Sequence, residues 1–230
     1  MYGGRDIYCV RHCEREDNDN PYWFYNSRLT KDNPPLSERG TDQAKEVASG
    51  LASVHIDYAF SSPCRRTVET ASYILAGRLT KLCIEPGLLE SESIILGNGV
   101  GSCSFESDFE IERFFPGLIN NSYSRLFTNV IPGEIGLYGC RPRVQNTIEN
   151  ILRCSPRPCS ILIVAHQSSL AAIHEAFCPG EHIMPGQATV TKYTERYPYE
   201  GVFDCEYDCD ASHLSDQSCL RGKYKFRRTY

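Results

Sequence analysis

The chain has 230 residues, 41% hydrophobic and 23% charged, with a net charge of −5 at pH 7. These values suit one globular domain with an elaborated insertion, and the negative balance argues against a nucleic-acid binder. No long uncharged apolar run is present, and the start, MYGGRDIYCV, lacks the apolar region of a secretion signal; the expectation is a cytoplasmic protein without a membrane partner. Twelve cysteines are scattered with no CxxC pair. Cys205, Cys209, His213 and Cys219 match no standard zinc spacing, so reduced, partly buried thiols and no metal are expected.

The stretch Ile7–Arg15 (IYCVRHCER) opens as a short buried strand and stops at Arg11-His12. A charged cluster at the carboxyl end of a buried strand is where open α/β sheets place a ligand crevice. Arginines on both sides of His12 disfavour its protonated form, leaving a lone pair for nucleophilic attack. Arg11 and Arg15 carry forked donors suited to phosphate oxygens. These groups together suit attack on a phosphoryl group; a surface histidine with two solvated arginines is the other reading of the same residues.

Residues 16–40 read as a loop rich in Asn, Asp and Pro, whose aromatics Tyr22, Trp23, Phe24 and Tyr25 pack at the rim of the site. A helix follows Leu36–Gly40, capped by Ser37 or Thr41, with Ala44, Val47, Ala48 and Leu51 inward. Ile56–Phe60 is a second strand. Pro63 then opens a helix with Val68, Ala71, Ile74 and Leu75 on its apolar face. Arg65 and Arg66 fall in its first turn, against the helix dipole, which points to a use for at least one of them; Arg65 reads as solvated.

Lys81–Ile84 is a third strand, running into Glu85–Glu90. Residues 91–135 read as an insertion, with Gly97–Pro132 as a lid of one or two short helices and a solvated acidic run from Glu106 to Glu112. Arg143–Leu152 is a helix. Ser160–Ala165 (SILIVA) has the continuous apolar character of a central parallel strand; it ends at His166 and is followed by a helix over Leu170–Phe177. Gly186–Tyr193, Glu200–Tyr207 and Gly222–Arg228 read as closing strands. The expected fold is α/β: a mostly parallel sheet flanked by helices on both faces, in a single domain over residues 1–230. The first and strongest strands set side by side would bring His12 and His166 to one crevice.

Arg11-His12-Cys13-Glu14-Arg15 resembles the RHGE(R) motif of the histidine phosphatase (phosphoglycerate mutase-like) superfamily. PLSERG, SSPCRRTVETA, EPGLLE and VAHQSSL follow in that family's order. The chain looks most like the branch of the suppressor-of-T-cell-receptor-signalling phosphatase domains and the ecdysteroid-phosphate phosphatases. The resemblance implies that His12 becomes a phosphohistidine and that Arg11, Arg15 and Arg66 bind phosphate. It implies that His166 donates to the phosphoryl oxygens and that Glu90 protonates the leaving group. It implies no metal or organic cofactor. The partner would be a phosphorylated small molecule or phosphoprotein, with phosphotyrosine or another aromatic or bulky monoester as substrate; the relatives also suggest a homodimer. One position departs: the family's glycine after the histidine is Cys13 here. A positive φ at that position would strain a cysteine. Cys13 therefore leaves two readings, an active phosphatase and a weak or inactive pseudo-phosphatase that binds phosphorylated ligands.

Overall fold

The computed structural model describes residues 3–30, 32–91, 105–129, 133–136, 138–197, 199, 201–218 and 220–221. Six strands form one sheet: β1 (Arg5–Arg11), β2 (Tyr58–Ser61), β3 (Leu82–Ile84), β4 (Cys159–Ala165), β5 (Val190–Glu195) and β6 (Phe203–Asp210). Their spatial order is β3-β2-β4-β1-β5-β6. The first four in that order pair in parallel, and β5 and β6 close the sheet through antiparallel pairings.

Alternation along the central strands divides the core between two faces. Tyr8 and Val10 of β1, with Leu162 and Val164 of β4, pack under α2 (Glu38–Gly50) and α3 (Arg65–Leu75). Ile7 and Cys9, with Ile161 and Ile163, face α5 (Arg141–Cys154) and α6 (Gln167–Phe177). Residues Ile161–Val164 are fully buried; each such side chain contributes roughly 1.5–3 kcal/mol. The doubly covered sheet explains why SILIVA is apolar without alternation.

Short elements fill the expected loop after β1: α1 (Glu16–Asp19) and a 3₁₀ turn over Trp23–Asn26. Trp23 is buried, while Tyr22 and Tyr25 stack on one another in the open. Within the expected insertion, α4 (Asp108–Phe114) begins in a Ser107–Glu110 capping box. Beyond α4 the chain runs along the free edge of β3, where Leu82 N–H bonds Leu118 O and Asn120 N–H bonds Leu82 O. This described part of the insertion extends the sheet edge.

Two closing strands start three or four residues later than their sequence reading. Residues 186–189 form a turn because Ala188 takes a left-handed backbone (φ 60°) and hands its N–H to the carbonyls of Arg11 and His12. Gly201 (φ 77°) turns the chain into β6. The expected edge strand Gly222–Arg228 lies outside the described residues.

Candidate active site

Strand register builds the site. Arg11 pairs with Ala165 at the carboxyl ends of β1 and β4, so the next residues, His12 and His166, emerge side by side. Their rings sit edge to face with centroids 5.3 Å apart, and both residues are buried.

Hydrogen bonds fix the tautomers. His12 Nδ1 lies 2.8 Å from the carbonyl of Cys13. A carbonyl only accepts, so Nδ1 carries the proton and the lone pair is on Nε2. Burial, reinforced by Arg66 and Arg11 and then His166, holds His12 well below the usual 6.5. The ring is therefore neutral at pH 7 with a nucleophilic Nε2, as the flanking arginines suggested, although burial outweighs their charge. His166 Nδ1 takes a hydrogen bond from Arg66 Nη2 (3.3 Å). Its Nε2–H then faces Ser62 Oγ at 2.7 Å. Both ring nitrogens are engaged within the protein, so His166 as placed here orients Arg66. The direct donation to phosphate implied by the resemblance needs one of these bonds released.

Arg66 enters from the first turn of α3, which follows directly on the end of β2. Its guanidinium is buried, and among the described residues its Nε and Nη1 find no protein acceptor. Arg11 also lacks a partner for Nε, while its Nη1 is held by the carbonyls of Pro185 and Arg221 (2.8 and 2.9 Å). Burial lowers Arg11 to about 10, with Glu90 opposing and Arg15, Arg66 and Arg221 adding to the shift. Buried donors without acceptors are costly. These unfilled edges, on cations beside a neutral histidine, call for an anion with several oxygens.

Arg15 is placed differently. It grips Asp17 through Nε (2.8 Å) and Nη2 and is about one-third exposed. It acts on Arg11 as a nearby charge. Arg65 is not solvated: it pairs with Glu69 (2.7 Å) and Glu106 (2.9 Å) and lies over the Phe114 ring. Glu106 is correspondingly buried, so the acidic run is not wholly a solvated face. The i,i+4 spacing of Arg65 and Glu69 was a legible sign of the first partner.

Glu90 is buried at the end of the turn that follows β3. Its Oε1 accepts N–H bonds from Ser91 (3.0 Å) and Ser168 (3.1 Å), the latter at the amino end of α6. Its charge is felt at both Arg11 and His166.

Cys13 carries no left-handed backbone: among the described non-glycine residues only Ala188, Cys209 and Arg221 have positive φ. Its side chain is fully buried in the core under α2 and α3, and its N–H bonds Thr70 Oγ1 (3.1 Å). Burial pushes the thiol up to about 12. The expected strain is absent, and so is the environment of a reactive thiolate. Glu14 turns away to receive Ser37 Oγ (3.0 Å) and a two-point grip from Arg39. Gly40 is required beneath it, since a Cβ there would stand 2.1 Å from Glu14 O. The SERG motif thus anchors the loop behind His12.

Ser62, Gln187 and Arg221 were not anticipated. Gln187 Nε2 bonds Asn18 Oδ1 (3.0 Å), and Arg221 reaches Asn18 O (3.4 Å). Contacts between residues about 170–200 positions apart leave no local trace in sequence. Among the described residues no group of three or more His, Cys, Asp or Glu could hold a metal ion, and no helix is long and apolar enough to cross a membrane.

The model of the histidine phosphatase superfamily (branch 1) matches residues 7–195. The chain belongs to this superfamily. It is similar to human ubiquitin-associated and SH3 domain-containing protein B, 28% identical over 179 residues that cover 75% of this chain and 27% of that protein. The chain therefore spans about a quarter of that curated relative. Among solved structures it resembles the Bombyx mori ecdysone phosphate phosphatase in complex with tungstate: TM-score 0.65, 18% identity, 97% and 98% of the two chains covered. It also resembles phosphoglycerate mutase from Bacillus anthracis, with TM-score 0.63, 18% identity and 92% and 96% coverage. These two likenesses show the fold, an α/β sheet of phosphoglycerate mutase type. Membership of the superfamily supports phosphoester chemistry for this chain, with phosphatases among the proteins it resembles.

Proposed function

We propose that the protein hydrolyses phosphomonoesters through a phosphohistidine on His12, with a phosphorylated aromatic or bulky group such as phosphotyrosine as substrate. The observation that carries this is the set of buried donor atoms without a protein acceptor among the described residues, Nε and Nη1 of Arg66 and Nε of Arg11, beside a neutral His12. Phosphoryl transfer needs chiefly positioning and stabilisation of the equatorial oxygens. Arg66 and Arg11 supply that, and His166 fixes Arg66 from Ser62. His12 Nε2 forms the N–P bond as the ester P–O bond breaks. Glu90, held through Oε1, gives its proton to the departing oxygen and then takes one from the attacking water, which cleaves the N–P bond.

The preference for a bulky ester draws on the likeness to a protein named for ecdysone phosphate. Arg15 as a phosphate ligand is part of the proposal and requires that it leave Asp17. The pseudo-phosphatase reading rests on strain or a moved loop at Cys13, and Cys13 has no positive φ. Hydrolysis of para-nitrophenyl phosphate with chelator present tests the proposal. Turnover by the wild type and its loss in His12→Ala is the expected result; undiminished turnover in His12→Ala contradicts it.

A further inference from the structure

We propose that Arg143 and Glu134 are positioning residues that hold Glu90 in register with the ester oxygen. The inference rests on the reaction proposed above, in which Glu90 protonates the leaving group. Arg143 lies in the first turn of α5 and is fully buried. A guanidinium so deep is costly unless its donors are met. Nε and Nη2 form a fork on the Glu134 carboxylate, at 2.7 and 2.6 Å. Nη1 donates to the carbonyls of Gly87 (2.8 Å) and Leu89 (3.1 Å), with that of Pro86 at 3.4 Å. Nη2 also reaches the carbonyl of Glu90 itself (3.3 Å).

One side chain thus gathers the carbonyls of the irregular turn that carries the proposed acid. These carbonyls have no strand partner, and Arg143 replaces one. Glu134 secures the far side of Glu90: its carbonyl accepts Ser91 Oγ (3.3 Å). Ser91 N–H, in turn, holds Glu90 Oε1. Glu90 is therefore fixed from its own carbonyl and from the residue that follows it. An ion pair kept only for core stability has no need of four carbonyls in one turn.

The test separates positioning from general stability by leaving group. An alkyl phosphate such as β-glycerophosphate leaves as a strongly basic alkoxide and needs the proton of Glu90. Para-nitrophenyl phosphate leaves as a weakly basic phenolate and needs it far less. Arg143→Lys keeps a charge opposite Glu134, but one ammonium cannot serve both the fork and the carbonyls. Glu134→Gln keeps the shape and weakens the fork. In both variants kcat/KM for the alkyl ester should fall about tenfold or more, with kcat/KM for the aryl ester within about threefold of wild type. Equal losses on both esters would make the pair merely structural, and no loss on either would also overturn the proposal. If Arg143→Lys fails to fold, Glu134→Gln decides. His12→Ala on the same substrates keeps the two ideas apart. Aryl hydrolysis surviving in His12→Ala sinks the reaction itself, whereas its loss there, without a leaving-group effect in the variants, sinks the positioning role alone.

Discussion

His12 and His166 face each other at 5.3 Å, edge to face, from the ends of two paired parallel strands. The two rings differ in what they hold. His12 points Nδ1–H at a backbone carbonyl and keeps Nε2 for attack, whereas His166 spends its nitrogens on Arg66 and Ser62. Backbone register sets the rings side by side, and their hydrogen-bond partners set the division of labour.

Both histidines are held below the usual 6.5, His12 by burial, Arg66, Arg11 and His166, and His166 by burial and Arg66. Protonated His12 cannot attack, so the acid limb of kcat/KM is expected below pH 6.5. Stability follows the same sign. The unfolded chain takes up protons on these rings near 6.5 and the folded chain does not. Stability from these groups is full above that pH and falls below it, by up to about 1.4 kcal/mol per pH unit for each ring. Urea midpoints measured at about pH 7.5 and about pH 5.5 check this, with the lower midpoint expected in acid.

Arg66→Lys should cost about 10²–10³ in kcat, since a single ammonium cannot replace the planar fork. Inhibition by vanadate should weaken in parallel. Steady-state kinetics with and without vanadate reads both effects, and a fully active Arg66→Lys enzyme would remove Arg66 from the phosphate site.

Cys13→Gly should leave turnover within about threefold of wild type and lower stability by roughly 1–2 kcal/mol through lost burial. The thiol, pushed up to about 12, should also resist iodoacetamide in the native protein. A large gain of activity in Cys13→Gly would show that the cysteine suppresses turnover.

Arg39→Ala strips the two-point partner from Glu14, whose side chain is only 4% exposed. Burial alone would raise that carboxyl; hydrogen bonds from Arg39 and Ser37 overcome it and hold Glu14 below the usual 4.5. This stabilisation is present above pH 4.5 and lost as pH falls through the depressed value. The variant should lose about 1–3 kcal/mol near neutrality, and its deficit should shrink in acid. Thermal melts of both proteins across that range measure it.

The sheet was legible because its central strands announce themselves: SILIVA is apolar on both faces, and a histidine directly follows each of β1 and β4. That ending was enough to foresee the crevice. The conflict with the helix dipole pointed to a use for at least one of Arg65 and Arg66, and the family resemblance selected Arg66, which is buried with unfilled donors. Other features were hidden because they depend on long-range geometry. The turn at Ala188 sets where β5 begins, yet nothing local marks an alanine for positive φ. Arg65 read as solvated because Glu106 lies 41 residues away. The Arg143–Glu134 fork and its grip on the Glu90 turn were equally invisible. Arg143 falls on a helix whose apolar spacing alone gave no reason to look at an arginine.

The most direct test of the central claim is to quench the enzyme during turnover of a phosphate ester and map the trapped phosphate by mass spectrometry. The account predicts an acid-labile, base-stable phosphoryl group on His12, absent from His12→Ala. Phosphate on another residue, or rapid turnover with no trapped phosphohistidine, would contradict it.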